Sequence, residues 1–488
     1  MDFFYSNACK QFIGGEWLES SSGETAPVIN PSTGDVITKV AWSNEADVRR
    51  AVKAAATAFP AWAETPVIKR SQILFRYKQL LEEHFDELGR LVTLEHGKTL
   101  DEAKGSVRRG IEVVDFACGL PALFKGETLH NIGGGVDYET YRYPLGVCAG
   151  ITPFNFPAMI PLWMFPVALA CGNTFILKPS PQTPLTSARL VELLHKAGLP
   201  AGVLNLVHGG KETVDAILTH PDIKAISFVG STSVAKYVYE TGTGQGKRVQ
   251  SAGGAKNCAI IMPDAETEPT AHAIIASSFG SSGERCMAVS TIITVGDASE
   301  KILKAVHTIA ASLKVGPTHS DPTVQMGPVI SSEHLSRIRN YIEIGIKEGA
   351  ELYLDGRTIK VIDEPNGFYV GPTIFRNVHP DMRIAREEIF GPVLCAIQAD
   401  TLDAAIEIIN KSEYGNAAVI FTKDGAAARE LRHRAGAGMI GINVGVPAPM
   451  GLFPFSGWKD SFFGDLHVQS MEGIDFYTQK KVVMKRWF

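Results

Sequence analysis

The segment Phe279-Gly280-Ser281-Ser282-Gly283-Glu284-Arg285-Cys286-Met287-Ala288 carries the densest chemical signal in the sequence. A cysteine among small residues leaves room for a substrate and for backbone donors, and Arg285 beside it favours the thiolate, the nucleophilic form. A buried structural cysteine fits the same stretch, because free cysteines are commonly core residues. Four further stretches offer partners. Thr152-Pro153-Phe154-Asn155-Phe156-Pro157 fixes an amide between two prolines. An aimed side-chain N–H is what an oxyanion needs as a carbonyl turns tetrahedral, although an Asn here could equally cap the next helix. Lys178-Pro179-Ser180 places a lysine that can bind ribose hydroxyls or a phosphate. Gly230-Ser231-Thr232-Ser233 feeds a helix whose first N–H groups can face a pyrophosphate. Glu387-Glu388-Ile389-Phe390-Gly391-Pro392-Val393 offers a carboxylate for a ribose diol, and is also an ordinary helix-to-strand junction. There is no Gly-x-Gly-x-x-Gly, and Gly242-Thr243-Gly244-Gln245-Gly246-Lys247 fails the Walker A spacing and reads as a glycine-rich loop.

These residues need elements to position them. Short apolar runs at 147–151, 174–177, 203–207 and 225–229 alternate with helical stretches, one of them over 184–197. Buried strands alternating with helices predict βαβ units and a parallel, doubly wound sheet. Ligands of such sheets bind at the carboxyl ends of the strands, where Asn155, Lys178, Gly230 and Ser231 all fall. Upstream, apolar spacing near 3.6 predicts helices over 46–58 and 68–95. A second α/β region is expected over 256–455, with strands at 290–295, 393–397 and 417–421. The tail, 474–487, alternates as an edge strand does.

At roughly 100–200 residues per domain, 488 residues suggest two to four domains. A net charge of −5 leaves no electrostatic footprint for nucleic acid or anionic membrane. The seven cysteines are widely spaced without a Cys-x-x-Cys, which argues against disulfides and a metal site and for a reducing compartment, the cytoplasm. Met1–Asn7 has neither the basic nor the apolar region of a secretory signal. The uncharged run between Arg142 and Lys178 is long enough to span a membrane. Pro144, Pro153, Pro157, Pro161 and Pro166 break it, so a strand, a turn and a short helix are expected instead.

Taken together and in this order, the motifs resemble the aldehyde dehydrogenase superfamily, from Ile13-Gly14-Gly15-Glu16-Trp17 to the tail. Within it the chain is more similar to the CoA-acylating methylmalonate-semialdehyde dehydrogenases. That likeness rests on Gly150-Ile151-Thr152-Pro153-Phe154-Asn155-Phe156-Pro157, on the segment His220 to Ser231, on Gly254-Ala255-Lys256-Asn257 and on Arg285-Cys286-Met287-Ala288. The resemblance implies an α/β fold with a Rossmann-type cofactor domain (1–123 and 143–254), an α/β catalytic domain (255–455) and a small β oligomerisation extension (124–142 and 471–488). It implies Cys286 as nucleophile, Asn155 as oxyanion donor, and Arg109 and Arg285 as a pair binding a substrate carboxylate. Read alone, Arg109 fits a solvated helix face equally well. Thr152, Phe154, Lys178, Pro181, Gln182, Gly230, Ser231, Gly253, Glu388 and Phe390 are the implied cofactor residues. NAD is the implied cofactor, CoA the co-substrate, and the assembly a homotetramer.

Five positions depart from the superfamily's pattern. Ala252 in Gln250-Ser251-Ala252-Gly253-Gly254-Ala255-Lys256 stands where hydrolytic relatives carry the Glu that activates water. Without a positioned base, water attack on a thioester is slow, and a thiol such as CoA takes over. Pro181 and Gln182 follow Lys-Pro-Ser where an acid for the adenosine ribose is usual, which leaves NADP open. Glu284 replaces a Gln, and is expected to pair with Arg285. Cys258 replaces a His. Competing readings are a hydrolytic aldehyde dehydrogenase that releases a free acid, a cofactor-free thiol hydrolase, and a non-catalytic binding protein on this fold.

Overall fold

A computed structural model describes residues 8–488; the segment Met1–Asn7, where no secretory signal is expected, lies outside the described residues. Five parallel strands form the middle of the first sheet, in the order Leu204–Leu206, Thr174–Lys178, Val147–Ile151, Ile223–Val229, Arg248–Ala252. Val147–Ile151 and Thr174–Lys178 are buried at every position. Strands covered on both faces read as unbroken apolar runs rather than alternating ones, which is why they stand out in the sequence. Antiparallel strands close the two edges, Gln11–Ile13 with Glu16–Leu18 on one side and Phe462–Phe463 on the other.

The second sheet runs Glu351–Leu354, Thr373–Arg376, Val393–Ala399, Val289–Val295, Asn257–Ile261, Ala417–Phe421, Met439–Ile442, parallel except at its first pairing. A third, three-stranded sheet pairs Val136–Pro144 with Thr128–Leu129 on one side and with the tail strand Thr478–Arg486 on the other.

Three local expectations are corrected. The helix expected over 68–95 is two, Val67–Glu83 and Phe85–His96, because the backbone leaves the helical region at His84 (φ −102°, ψ 16°). The tail begins with a helix, Ser470–Phe476, and only Thr478–Arg486 is strand. Gly242 and Gly244 are not loop but the last turn of the helix Thr232–Gly244. The uncharged run folds as the strand Val147–Ile151, a proline loop and the wholly buried helix Met159–Ala170. Among the described residues no helix is long and apolar enough to cross a membrane.

Two carboxylates, Glu95 buried and Glu102 half-buried, organise the helical layer beside the first sheet. The helix Pro184–Lys196 has no side-chain cap of its own. Glu95 supplies one, its carboxylate accepting from the backbone N–H groups of Leu185 (2.8 Å) and Thr186 (3.0 Å). An anion at a helix N-terminus complements both the free N–H groups and the dipole. Burial nevertheless raises the Glu95 carboxyl to about 7. The helix Leu100–Cys118 opens with a capping box between Thr99 and Glu102.

That helix lies against Met159–Ala170 at Gly110, where a Cβ would sit 2.6 Å from Leu162 Cδ1 and 3.3 Å from the Met159 backbone. Gly110→Ala gains helix propensity of about 1 kcal/mol. Overpacking of a filled contact costs about 1–3 kcal/mol, so the net effect expected is destabilisation. A lower urea midpoint than wild type is the outcome expected; an unchanged or higher midpoint would show that the crossing is not tightly packed.

Candidate active site

Cys286 is carried on an unusual backbone. After the helix Thr267–Phe279, Ser281 (φ 49°), Ser282 (φ 54°) and Gly283 (φ 74°) are consecutive left-handed residues. Each non-glycine residue in that region costs roughly 1–2 kcal/mol, so the surroundings must hold the turn. Glu102 accepts from the Ser281 N–H at 2.7 Å, and the Ser282 hydroxyl donates to the Gly327 carbonyl at 2.8 Å. Gly283 has no alternative, since a Cβ there would lie 2.2 Å from the Gly391 carbonyl oxygen. Beyond the turn, the Cys286 carbonyl accepts from the side-chain amides of Asn257 (2.8 Å) and Asn416 (2.9 Å). Cys286 is half-buried, whereas the other six cysteines are buried; all are free.

The sulfur's surroundings supply the chemistry. A cavity of about 310 Å³ is lined by Cys286, Arg109, Arg285, Phe156, Trp163 and Phe455, among others. The predicted nucleophile and both predicted guanidiniums therefore share one chamber with aromatic walls. A separate void of about 20 Å³ joins Cys286 to Glu388 and Phe390.

The expectation that Arg285 holds the sulfur as thiolate is overturned. Burial first, and the facing Glu388 carboxylate second, push the Cys286 thiol up to about 12. The backbone N–H groups of Cys286 and Met287 and the Arg285 charge pull the other way without prevailing. Arg285 is engaged elsewhere: it donates to Glu102 at 2.8 Å and to the Ser281 hydroxyl at 3.2 Å. This also corrects the expected Glu284–Arg285 pair. Glu284 is turned inward and wholly buried, accepting from the Ile330 N–H at 3.1 Å. It lies 3.8 Å from His96 Nε2 and 3.5 Å from His334 Nε2. Burial lifts its carboxyl well above the ordinary carboxylate range and drives His96 well below the usual imidazole range.

Asn155 is fixed at both ends. Its side-chain amide donates to the Glu284 carbonyl at 2.9 Å, and its own carbonyl accepts from Lys98 Nζ at 2.6 Å. One amide hydrogen is thus spent on orientation, and the other has no partner among the described residues. The helix that follows, Met159–Ala170, takes no side-chain cap from it, so the capping alternative is not realised. Lys98 also sits 4.1 Å from the Phe156 ring centroid. Burial, followed by repulsion from Arg285, lowers this ammonium to about 7.

The predicted cofactor residues fall into two groups. Thr152, Lys178, Gly230, Ser231 and Gly253 end or directly follow four neighbouring strands of the first sheet, on its carboxyl side. There the Thr152 N–H donates to the Lys178 carbonyl at 3.1 Å, and the Gly230 N–H to the Ala252 carbonyl at 3.1 Å. Pro181 and Gln182 lie on the turn after Lys178. Glu388, Phe390 and Phe154 form the second group: the Phe154 and Phe390 rings meet edge to face at 5.9 Å. The groups are joined through the Ala255 N–H, which donates to Glu388 at 2.9 Å, and the Gly254 N–H, which donates to the Thr232 hydroxyl at 2.9 Å. Lys178 is buried with its ammonium unpartnered among the described residues, and burial lowers it to about 8. The helix Thr232–Gly244 carries no side-chain cap on its first turn. A cation, free helix N–H groups and a carboxylate are the donor and acceptor set that fits a dinucleotide.

Lys98, Glu102, His96 and His334 escaped the sequence reading. Glu102 had a usable signal, the capping-box spacing from Thr99. His96 had a weaker one: it continues the apolar face of Phe85–His96 four residues after Val92.

Residues 17–483 match the model of the aldehyde dehydrogenase family. The chain is 52% identical to malonate-semialdehyde dehydrogenase 2 of Geobacillus kaustophilus (strain HTA426), over 98% of each chain. Among solved structures it is similar to a methylmalonate-semialdehyde dehydrogenase of Oceanimonas doudoroffii, with a TM-score of 0.97, 45% identity and 99% and 98% of the two chains covered. A point mutant of betaine aldehyde dehydrogenase of Staphylococcus aureus in complex with NAD+ is more distant, with a TM-score of 0.94, 31% identity and 98% and 97% coverage. The chain belongs to the aldehyde dehydrogenase family.

Proposed function

We propose that this chain oxidises malonate or methylmalonate semialdehyde with NAD and passes the acyl group to CoA, with loss of CO2 to give acetyl-CoA or propionyl-CoA. One observation carries the reading: Cys286, Arg109 and Arg285 face a single cavity, while Ala252 leaves no carboxylate at the position where hydrolytic relatives hold a base. Arg109 and Arg285 are bonded to Glu112 and Glu102. A substrate carboxylate exchanges into these pairs and fixes the aldehyde carbon over the sulfur. The Cys286 thiolate attacks the carbonyl. The free Asn155 amide hydrogen and the Cys286 backbone N–H receive the oxyanion. NAD, when bound, supplies the two-electron acceptor that turns the hemithioacetal into a thioester. Lys178, Gly230, Ser231 and Gly253 would hold its phosphates and adenosine ribose, and Glu388 and Phe390 its nicotinamide ribose, with Thr152, Phe154, Pro181 and Gln182 completing the cleft. CoA, itself a thiol, then takes the acyl group from Cys286.

NADP is the competing nucleotide, because Pro181 and Gln182 offer no acid to a ribose 2′-hydroxyl. The first sheet is assigned to the cofactor domain (1–123 and 143–254), the second to the catalytic domain (255–455), and the third to the bridging strands (124–142 and 471–488). Exposed Leu129, Tyr141, Val482 and Met484 on the third sheet support assembly as a homotetramer. Seven free cysteines support a cytoplasmic location.

NADH formation from malonate semialdehyde should depend on CoA and vanish in Cys286→Ala. Equal turnover without CoA would establish the hydrolytic reading instead. Arg109→Gln should raise KM for the semialdehyde about 10–100-fold, the worth of a charge-assisted hydrogen bond, and leave KM for propanal nearly unchanged. An equal rise for both aldehydes would remove the carboxylate role. Because the thiol is raised, the thiolate fraction of the free enzyme is small at neutral pH and grows with alkalinity. Inactivation by iodoacetamide should therefore accelerate about tenfold per pH unit from neutrality upward. A rate already level at pH 7 (about 2 units below the free thiol range) would show a preformed thiolate.

A further inference from the structure

The second sheet carries another cavity, of about 210 Å³, between the helices Arg383–Arg386 and Leu402–Lys411. Its floor follows from strand register. Cys258 is aligned with Thr291, and Thr291 with Cys395, so the three form one row across adjacent parallel strands. Side chains in such a row share a face of the sheet. Cys258 and Thr291 line the cavity, and so does Lys256, two residues upstream.

Lys256 is 5% exposed, and its ammonium has no hydrogen-bond partner among the described residues. The Thr291 hydroxyl is equally buried and likewise has no hydrogen-bond partner among the described residues. The carboxylates nearest the lysine are committed elsewhere. Glu387 is held by Arg383 and Tyr341, and Glu388 by the Ala255 N–H. Arg386 and Lys411 add two cations to the lining, against Asp381 and Glu413. Glu413 lies 3.7 Å from Arg386, and Asp381 lies 3.4 Å from His379. A buried ammonium without an acceptor is among the costliest arrangements in a protein interior. Burial here pulls its pKa down, the response of a cation whose counter-charge is missing.

We propose that this cavity is a binding site for a small oxyanion of the phosphate class. Lys256 and the Thr291 hydroxyl hold it at the floor, and Arg386 and Lys411 at the mouth. The open mouth admits either free phosphate or the phosphoryl head of a small metabolite. The site is separate from the chamber of Arg109 and Arg285 and from the strand ends around Lys178.

Calorimetric titration of the purified full chain with inorganic phosphate, at constant ionic strength, tests this. Wild type should show saturable binding that Lys256→Met abolishes. The surface double variant Arg386→Gln/Lys411→Gln should bind about tenfold more weakly, the scale of losing charge-assisted contacts. Arg109→Gln and Lys178→Met, which alter the other two candidate anion sites, should keep that component. Absence of saturable binding in wild type overturns the proposal, as does binding unchanged in both Lys256→Met and the double variant. Should Lys256→Met fail to fold, the double variant decides alone. A parallel titration with glycerol 3-phosphate separates the sources: tighter binding than phosphate identifies a phosphomonoester site, and equal or weaker binding a free-phosphate site.

Discussion

The left-handed turn Ser281–Gly283 is the constraint on which the site depends. Three consecutive residues in that conformation do not persist unaided. They are clamped from three directions: by Glu102 at the head of Leu100–Cys118, by the Gly327 carbonyl, and by the Gly391 backbone that packs on Gly283. Glu102 also takes the Arg285 guanidinium, and Gly391 follows directly on Glu388 and Phe390. One turn therefore sets Cys286 relative to the Arg285 guanidinium and to the Glu388 carboxylate together. Strain stored at this point is the expected cost of aiming a side chain into a shared chamber.

Around that turn the interior is unusually rich in ionisable groups. Glu95, Glu284, His96 and Lys98 are all buried within a short distance in sequence or space of Cys286 and Asn155. Desolvation is the leading cause of the shift in each, and it favours the neutral form of each. Glu95 and Lys98 are each drawn to about 7, one from below and one from above. A dry, mostly neutral shell keeps water from the groups around Cys286 and leaves directed N–H groups as the strongest local dipoles.

Much of this was legible in the residues, and the exceptions have physical reasons. The parallel strands were readable because burial on both faces removes alternation, as in Thr174–Lys178. The break at His84 was not, since neither glycine nor proline marks it. Residues 474–476, the end of the helix Ser470–Phe476, were read as strand because so short an apolar segment carries no decisive period. Cys286 and Asn155 were singled out by residue type, and Arg109 and Arg285 as a pair by the resemblance; the chamber brings Cys286 and both arginines together. Their electrostatics were not found. Adjacency of Glu284 and Arg285 in sequence suggested a pair, but neighbouring side chains diverge, one inward to the histidines and one outward to Glu102. Adjacency of Arg285 to Cys286 suggested a thiolate, but burial outweighs a guanidinium already committed to a carboxylate.

The third sheet has a consequence for how the molecule is made. Val136–Pro144 leaves the ribosome long before Thr478–Arg486, its partner along its entire length. Phe462–Phe463, which closes an edge of the first sheet, also arrives late. Arg248 donates to the carbonyls of Phe476 and Thr478, so even the strand Arg248–Ala252 waits for the tail. At about 5–20 residues per second, the wait between the two partner strands is roughly 20–70 s. The first sheet is thus finished only once residues 462–463 and 476–478 have emerged, and until then an unpaired strand edge must be shielded from other nascent chains.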